Sequence, residues 1–305
     1  MQNEIYAQVD SLYIEPFEQK LSGRVYFGKK YSSLTLKFPN EKDYEYHPNN
    51  PVGIGLGISW KNSTLSGAYG FGFMRDKSKG KTKSIDFQYH YYGQKVIFDV
   101  FFHDYKGFYM RREDDDRSDN ITLVPDLKLV QYGFYSQYVF NNRKFSYKAA
   151  FGLSEKQLRS AGSFQLGGGV YYTKALSDSS LVSFDNYRQK NFQIGVSGGY
   201  IYTWVIKQKY FVSGGLSIGI NAGSDNIRNF YSDKIGFYPS FFPRAAMGYH
   251  AYDWSIGLSY VNNRISLLFK DDRSVFLDTG SIQLTFVKRL NLHPPIVNKL
   301  PKRFR

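Results

Sequence analysis

The chain has 305 residues, with 40 Lys plus Arg against 26 Asp plus Glu and a formal charge of +14. Cysteine is absent, which excludes a disulfide framework and any thiolate metal site, and an aromatic content of 18% supplies enough apolar area to exclude a disordered chain. Polar residues or Gly interrupt every apolar run well short of the roughly 18 residues that a transmembrane helix needs.

Met1-Gln2-Asn3-Glu4 opens polar, without the basic start, apolar stretch and small-residue cleavage site of a secretory signal, so a mature form with an added Met is expected. Residues 1–21 read as a polar N-terminal segment. From 22 to 290 strict alternation dominates and no amphipathic helix is apparent. Leu65, Tyr69, Phe71 and Phe73 share one face of residues 63–74, and small or polar residues share the other. Ile85, Phe87, Tyr89 and Tyr91 alternate with Ser84, Asp86, Gln88 and His90; Val96, Phe98, Val100 and Phe102 alternate with Asp99 and His103. The pattern continues through 130–140, through Phe145, Tyr147 and Phe151 against Ser146 and Lys148, through 192–204 and 212–220, and ends with 254–260 and 282–286.

These segments exceed the roughly 5–6 residues of a sandwich strand and match the roughly 9–11 tilted residues that cross a bilayer. The two-faced pattern therefore predicts an all-β fold, a single-chain transmembrane antiparallel β-barrel with its oily face toward lipid. Aromatic residues near the predicted strand ends, Trp60, Tyr105, Tyr138, Trp204, Tyr210 and Trp254 among them, suit the girdles at a membrane interface.

Short turns are expected at 61–62, 93–94, 141–142, 207–208 and 252–253, and long polar loops at 39–51, 75–82, 107–127, 224–240 and 269–279. Barrels of bacterial outer membranes alternate short periplasmic turns with longer outer loops and have an even strand count, which puts both termini in the periplasm. The clear segments number thirteen. Adding a weak strand at 181–187, with a turn near Asp178-Ser179, gives about 14; the alternative, 12, dissolves that strand and merges a C-terminal hairpin. Residues 291–305 form a basic tail whose Pro294, Pro295 and Pro301 exclude a strand.

Tyr46-His47-Pro48-Asn49 ahead of a Gly-rich strand, Gly107-Phe108-Tyr109, the run from Lys144 to Phe151, and Ser160-Ala161-Gly162-Ser163-Phe164 together resemble a family of uncharacterised outer-membrane barrels from Bacteroidetes. The likeness covers roughly 22–290; Arg is the commoner residue where His47 stands. It implies a Gram-negative outer-membrane location and a barrel fold, and implies no activity.

On the lumen face the candidates are Asp86, His90, Asp99, Gln131, Gln137, Lys148 and Gln165, a set of mixed sign that points to ion pairs filling the barrel. Tyr135, Tyr105 and Phe101 add bulk to the same space. The loop 154–162 is expected to fold inward. A two-residue turn at Gly93-Gln94 would place Ser84 opposite His103 with Asp86 alongside, the pairing that acyl hydrolysis uses, although no nucleophile elbow accompanies it. Glu113-Asp114-Asp115-Asp116 lacks Ca²⁺-loop spacing and reads as a solvated outer loop. Arg75, Lys77, Lys79, Lys81 and Lys83 form a basic loop suited to lipid phosphates. The five His residues give no metal-ligand spacing, and no phosphate loop or dinucleotide motif is present.

The expected function is that of a non-enzymatic outer-membrane barrel, a scaffold or accessory subunit of an envelope complex in preference to a narrow pore. Its expected partners are outer-membrane lipid, lipopolysaccharide included, and other envelope proteins, with no cofactor, metal or nucleic acid. The alternative is a lipid hydrolase using Ser84, His103 and Asp86.

Overall fold

The computed structural model describes residues 9–19, 21–38, 43–60, 63–112, 121–178, 188–224, 235–270 and 273–290. Its strands are β1 (Ile14–Pro16), β2 (Leu21–Lys37), β3 (Tyr44–His47), β4 (Gly53–Trp60), β5 (Ser63–Gly70), β6 (Lys83–Tyr92), β7 (Val96–Arg112), β8 (Thr122–Val139), β9 (Glu155–Gln157), β10 (Ala161–Leu176), β11 (Arg188–Ile206), β12 (Tyr210–Ser224), β13 (Gly236–His250), β14 (Trp254–Lys270) and β15 (Arg273–Leu290). Antiparallel neighbours run from β4 through β8 and from β10 through β15, β8 pairs with β10, and the ring closes through β15 on β2 and β2 on β4. Twelve strands form that ring, the lower of the two even numbers that the alternation left open.

Burial follows the alternation with its polarity reversed. Gln131, Gln193, Ser255 and Ser266 on the inner face are 0% exposed, while Val196 is 64% and Leu56 65% exposed on the outer face. A soluble core would do the opposite, and an apolar outer wall is stable only against lipid. Two glycines serve the inner packing. At Gly133 a Cβ would lie 2.1 Å from the Phe101 ring, and at Gly55 2.0 Å from that of Tyr26, so each ring lies flat on the wall only because no side chain is there.

Most strands are longer than a bilayer needs, and the excess changes character. Toward the end carrying the longer connections, inward positions become apolar: Leu34, Leu36, Tyr46, Tyr105, Leu127, Leu129 and Leu277 pack in one cluster. Outward positions there become charged, as in the 3.2 Å Lys128–Asp104 pair. This extension is built like a water-soluble barrel. Strands β4, β5 and β6 stop short of it, and β3 spans the space by pairing with both β2 and β7.

The segment Phe145–Phe151 is not a strand. Lys148–Gly152 forms a π-helical turn inside the barrel, followed by β9, and this removes the odd thirteenth segment. Its aromatic residues mimic alternation because every side of a segment inside a filled lumen is buried. The two-residue turn expected at 141–142 is instead the start of that 140–160 excursion. Strand pairing takes in 269–270 and 273–279 of the loop expected at 269–279, and the edges of the one expected at 107–127. The turn at 61–62, the strand at 181–187 and the tail 291–305 lie outside the described residues.

Candidate functional site

The β6–β7 connection has three residues, 93–95, closed by the Gly93 amide donating to the Val96 carbonyl at 2.9 Å. This sets Asp86 opposite His103 and His90 opposite Asp99, a register two residues away from the one expected. Ser84 faces Tyr105 and is exposed, so the Ser84–His103 pair on which the hydrolase reading depended does not form.

What forms instead is a layer of ion pairs across the lumen. Lys30 Nζ donates to Asp86 at 2.6 Å, and the Tyr105 hydroxyl donates to the same carboxylate at 2.9 Å. His103 Nε2 lies 3.7 Å from Asp86 and 3.1 Å from Gln88 Nε2. Asp99 takes His90 Nδ1 on one oxygen at 2.6 Å and Arg244 Nη2 on the other at 3.1 Å. Arg244 lies over the Tyr135 ring, which stacks on Phe242 at 4.6 Å. Charges so deeply placed persist only when paired and hydrogen-bonded, and these link β2, β6, β7 and β13 across the barrel.

Beside this layer is a cavity of about 100 Å³, room for a few waters. It reaches from Thr64, Gln88 and His90 on one wall to Asn263, Thr279 and Gln283 on the other, with Arg24 and Arg244 on its lining. Arg24 Nε, Asn263 Oδ1 and Thr279 Oγ1 are buried without a hydrogen-bond partner among the described residues.

A plug fills the end that carries the short connections. β1 pairs with β9, the Leu158 amide donates to the Tyr13 carbonyl at 2.7 Å, and Lys144 lies over the Tyr13 ring. Gln157 is the fastener: its Oε1 accepts from the Ser146 amide at 2.9 Å, and its Nε2 donates to the carbonyls of Lys144 and Arg159. Glu155 accepts from Ser146 and pairs with Lys148 at 3.4 Å. Phe145 and Tyr147 seat on wall residues Ile97, Val139 and Ile201, while Ala150 and Leu153 seat on Phe211 and Val287. Arg289 stacks over Phe17 and donates to Ser255.

Six of the seven lumen candidates face inward from wall strands, and Lys148, expected on such a strand, sits instead on the helical turn of the plug. Asp86, His90 and Asp99 belong to the charged layer; Gln131 lies opposite His103; Gln137 donates to Ser217 at 2.9 Å; Gln165 is 3.5 Å from the same hydroxyl; Lys148 belongs to the plug. The inward fold expected of 154–162 holds for β9 and its neighbours, while Ala161 and Gly162 begin β10. Lys30, Arg24, Arg244 and Arg289 were not anticipated. Their inward phase on β2, β13 and β15 is a signal that extending the alternation to the true strand ends would have exposed.

Lys77 and Lys81 of the basic loop are exposed, Arg75 is half-buried, and Lys79 pairs with Asp76 at 2.8 Å. The Lys79 ammonium and the Ser78 donors hold the Asp76 carboxyl down at about 2. Glu113-Asp114-Asp115-Asp116 lies outside the described residues. Among the described residues no three His, Asp or Glu converge as a metal site.

A family model described as a domain of unknown function, DUF4421, matches residues 8–289. The comparison with curated proteins gives no match. Solved structures that resemble this one include the outer-membrane protein OmpT of Vibrio cholerae, at 6% identity and TM-score 0.31, covering 87% of this chain and 98% of its own. A bacterial polysaccharide outer-membrane secretin aligns at 9% identity and TM-score 0.36, covering 90% and 99%. The Pseudomonas putida toluene transporter TodX aligns at 6% identity and TM-score 0.29, covering 90% and 91%.

Proposed function

We propose that this chain, which belongs to the DUF4421 family, is a non-enzymatic barrel of a bacterial outer membrane that serves as a scaffold or accessory subunit of an envelope complex. The observation that carries this reading is the plug: β1 and the 140–160 excursion close one end of a lumen whose middle is crossed by ion pairs. The apolar cluster fills the opposite end. A permeation path needs continuous polar space, and separate cavities of only about 100 Å³ beside the charged layer and about 130 Å³ against the plug argue against one.

The short connections 93–95, 207–209 and 251–253 share an end with the start of β2 and the close of β15, which supports periplasmic placement of both termini. Tyr249 lies 5.0 Å from Tyr210 and 5.3 Å from Trp254 at that rim, as an interfacial aromatic belt would. Arg75, Lys77, Lys79 and Lys81, at the other end, would meet anionic lipid such as lipopolysaccharide. A Bacteroidetes origin accords with the resemblance carried by Tyr46–Asn49 and Lys144–Phe151.

Planar-bilayer recording tests the reading. The purified barrel is expected to give no stable conductance steps, and a tagged copy to co-purify with another envelope protein. Steady openings from the wild-type chain would make it a pore.

A further inference from the structure

One seam of the ring is not hydrogen-bonded along its length. β5 pairs with β4 throughout, from Ser63↔Trp60 to Gly70↔Gly53, yet meets β6 at only two positions, Ser63↔Tyr91 and Thr64↔His90. Beyond Thr64 the two edges part. The parting lies within the lipid-facing band, because Gly70 is level with Phe27 and Gly28 through β4, and Phe87 and Tyr89 are level with Phe102 and Val100 on β7.

Unpaired strand edges do not face hydrocarbon, since each unmet N–H or C=O is costly there; they persist at membrane depth only where protein or a water-filled cavity meets them. Here the cavity lies at the foot of the gap: Thr64 and His90, the last pair before the edges part, and Gln88, just beyond it, line the lumen space that holds Arg24 and its unpartnered Nε.

We propose that the β5–β6 seam is a lateral portal that seats an anionic lipid, its phosphate-bearing head in the cavity and its acyl chains outside the wall. The chemistry on the two sides differs as such a ligand requires. Outside, Leu65, Tyr69, Ile85 and Phe87 are all half or more exposed, an apolar bed for chains. At the rim toward the longer connections, Lys77, Lys81 and Lys83 stand exposed. Inside, Arg24, Lys30 and Arg244 outnumber the carboxylates Asp86 and Asp99, which they and the two His residues already occupy. A phosphate entering from the seam would meet Arg24 first among the cations without a carboxylate partner, and its nearest guanidinium bond is to the Gly152 carbonyl of the plug, at 2.7 Å. Head-group binding at Arg24 therefore competes with a plug contact.

The portal rests on the membrane placement proposed above and is independent of the scaffold role. In the register set by the two existing pairs, Gly67 and Phe87 would be partners, so Gly67→Cys with Phe87→Cys would close the seam with a disulfide. The full chain, folded in detergent and shown by heat-modifiable migration to be a barrel, is titrated with phosphatidylglycerol, phosphatidylcholine or inorganic phosphate and followed by native mass spectrometry. Retention of phosphatidylglycerol above phosphatidylcholine is expected, lost on oxidation of the Cys pair, regained on reduction, and several-fold weaker in Arg24→Gln. Equal retention of the two lipids, retention unchanged by the closed disulfide, or phosphate alone competing fully would overturn it. If the Cys pair does not oxidise, Arg24→Gln decides: unchanged preference for phosphatidylglycerol sinks the portal. A chain that never becomes heat-modifiable and stays soluble without detergent would instead refute the membrane placement, a separate result.

Discussion

Asp99 shows how one residue ties distant strands together. Its two oxygens are shared between His90 beside it and Arg244 far along the chain, in a place too dry for either charge to stand alone. Arg244→Ala is expected to lower unfolding free energy by up to about 3–5 kcal/mol, because it leaves one Asp99 oxygen unpaired in low dielectric with His90 alone to offset the charge. Asp99→Asn combined with Arg244→Met removes both charges and is expected to cost much less. Urea unfolding in detergent compares the two, and equal losses would contradict the role of the pair. Asp99 and His90 were legible in the sequence from their shared phase. Arg244 was not, because it follows the expected loop 224–240, and Pro239 and Pro243 break the strand pattern ahead of it: proline lacks the N–H that a central strand uses. The ladder between β13 and β14 lapses at Phe242 and Pro243, yet the register resumes unchanged at Arg244↔Val261.

At the scale of elements, the 140–160 excursion is where alternation misled. A period of two reports only that neighbouring residues face different surroundings, and a segment enclosed by a barrel wall has no solvent side to report. Ser146 is buried along with Phe145 and Tyr147 on either side of it, so neither face of the segment meets solvent. Among the bonds that hold the excursion, Gln157 makes three. Gln157→Ala leaves backbone groups of Lys144, Ser146 and Arg159 unmet and is expected to destabilise the plug by about 1–3 kcal/mol. The readout is protease cleavage within 140–160 while the barrel stays heat-modifiable; a plug as resistant as wild type would show that wall packing alone holds it.

For the whole molecule the decisive property is the reversed burial. Val196→Arg places a charge on the lipid face and is expected to cost about 2–4 kcal/mol near the bilayer midplane. Urea titration in phospholipid vesicles measures it, and a cost near zero would mean that this face meets water.

Two-faced strands of membrane length, an even ring, lumen polarity and the inward phase of Asp86, His90, Asp99 and Gln131 were set by local order in the chain, because a side chain's face depends only on its parity along a strand. Which strands stop short, where β3 bridges them, how β1 reaches β9 and which carboxylate Arg244 neutralises were decided by the tertiary structure. These depend on closing the ring. The hairpin register is a local matter that parity equally misses: the three-residue connection 93–95 slides β6 by two residues against β7, enough to part Ser84 from His103 and to join His103 to Asp86.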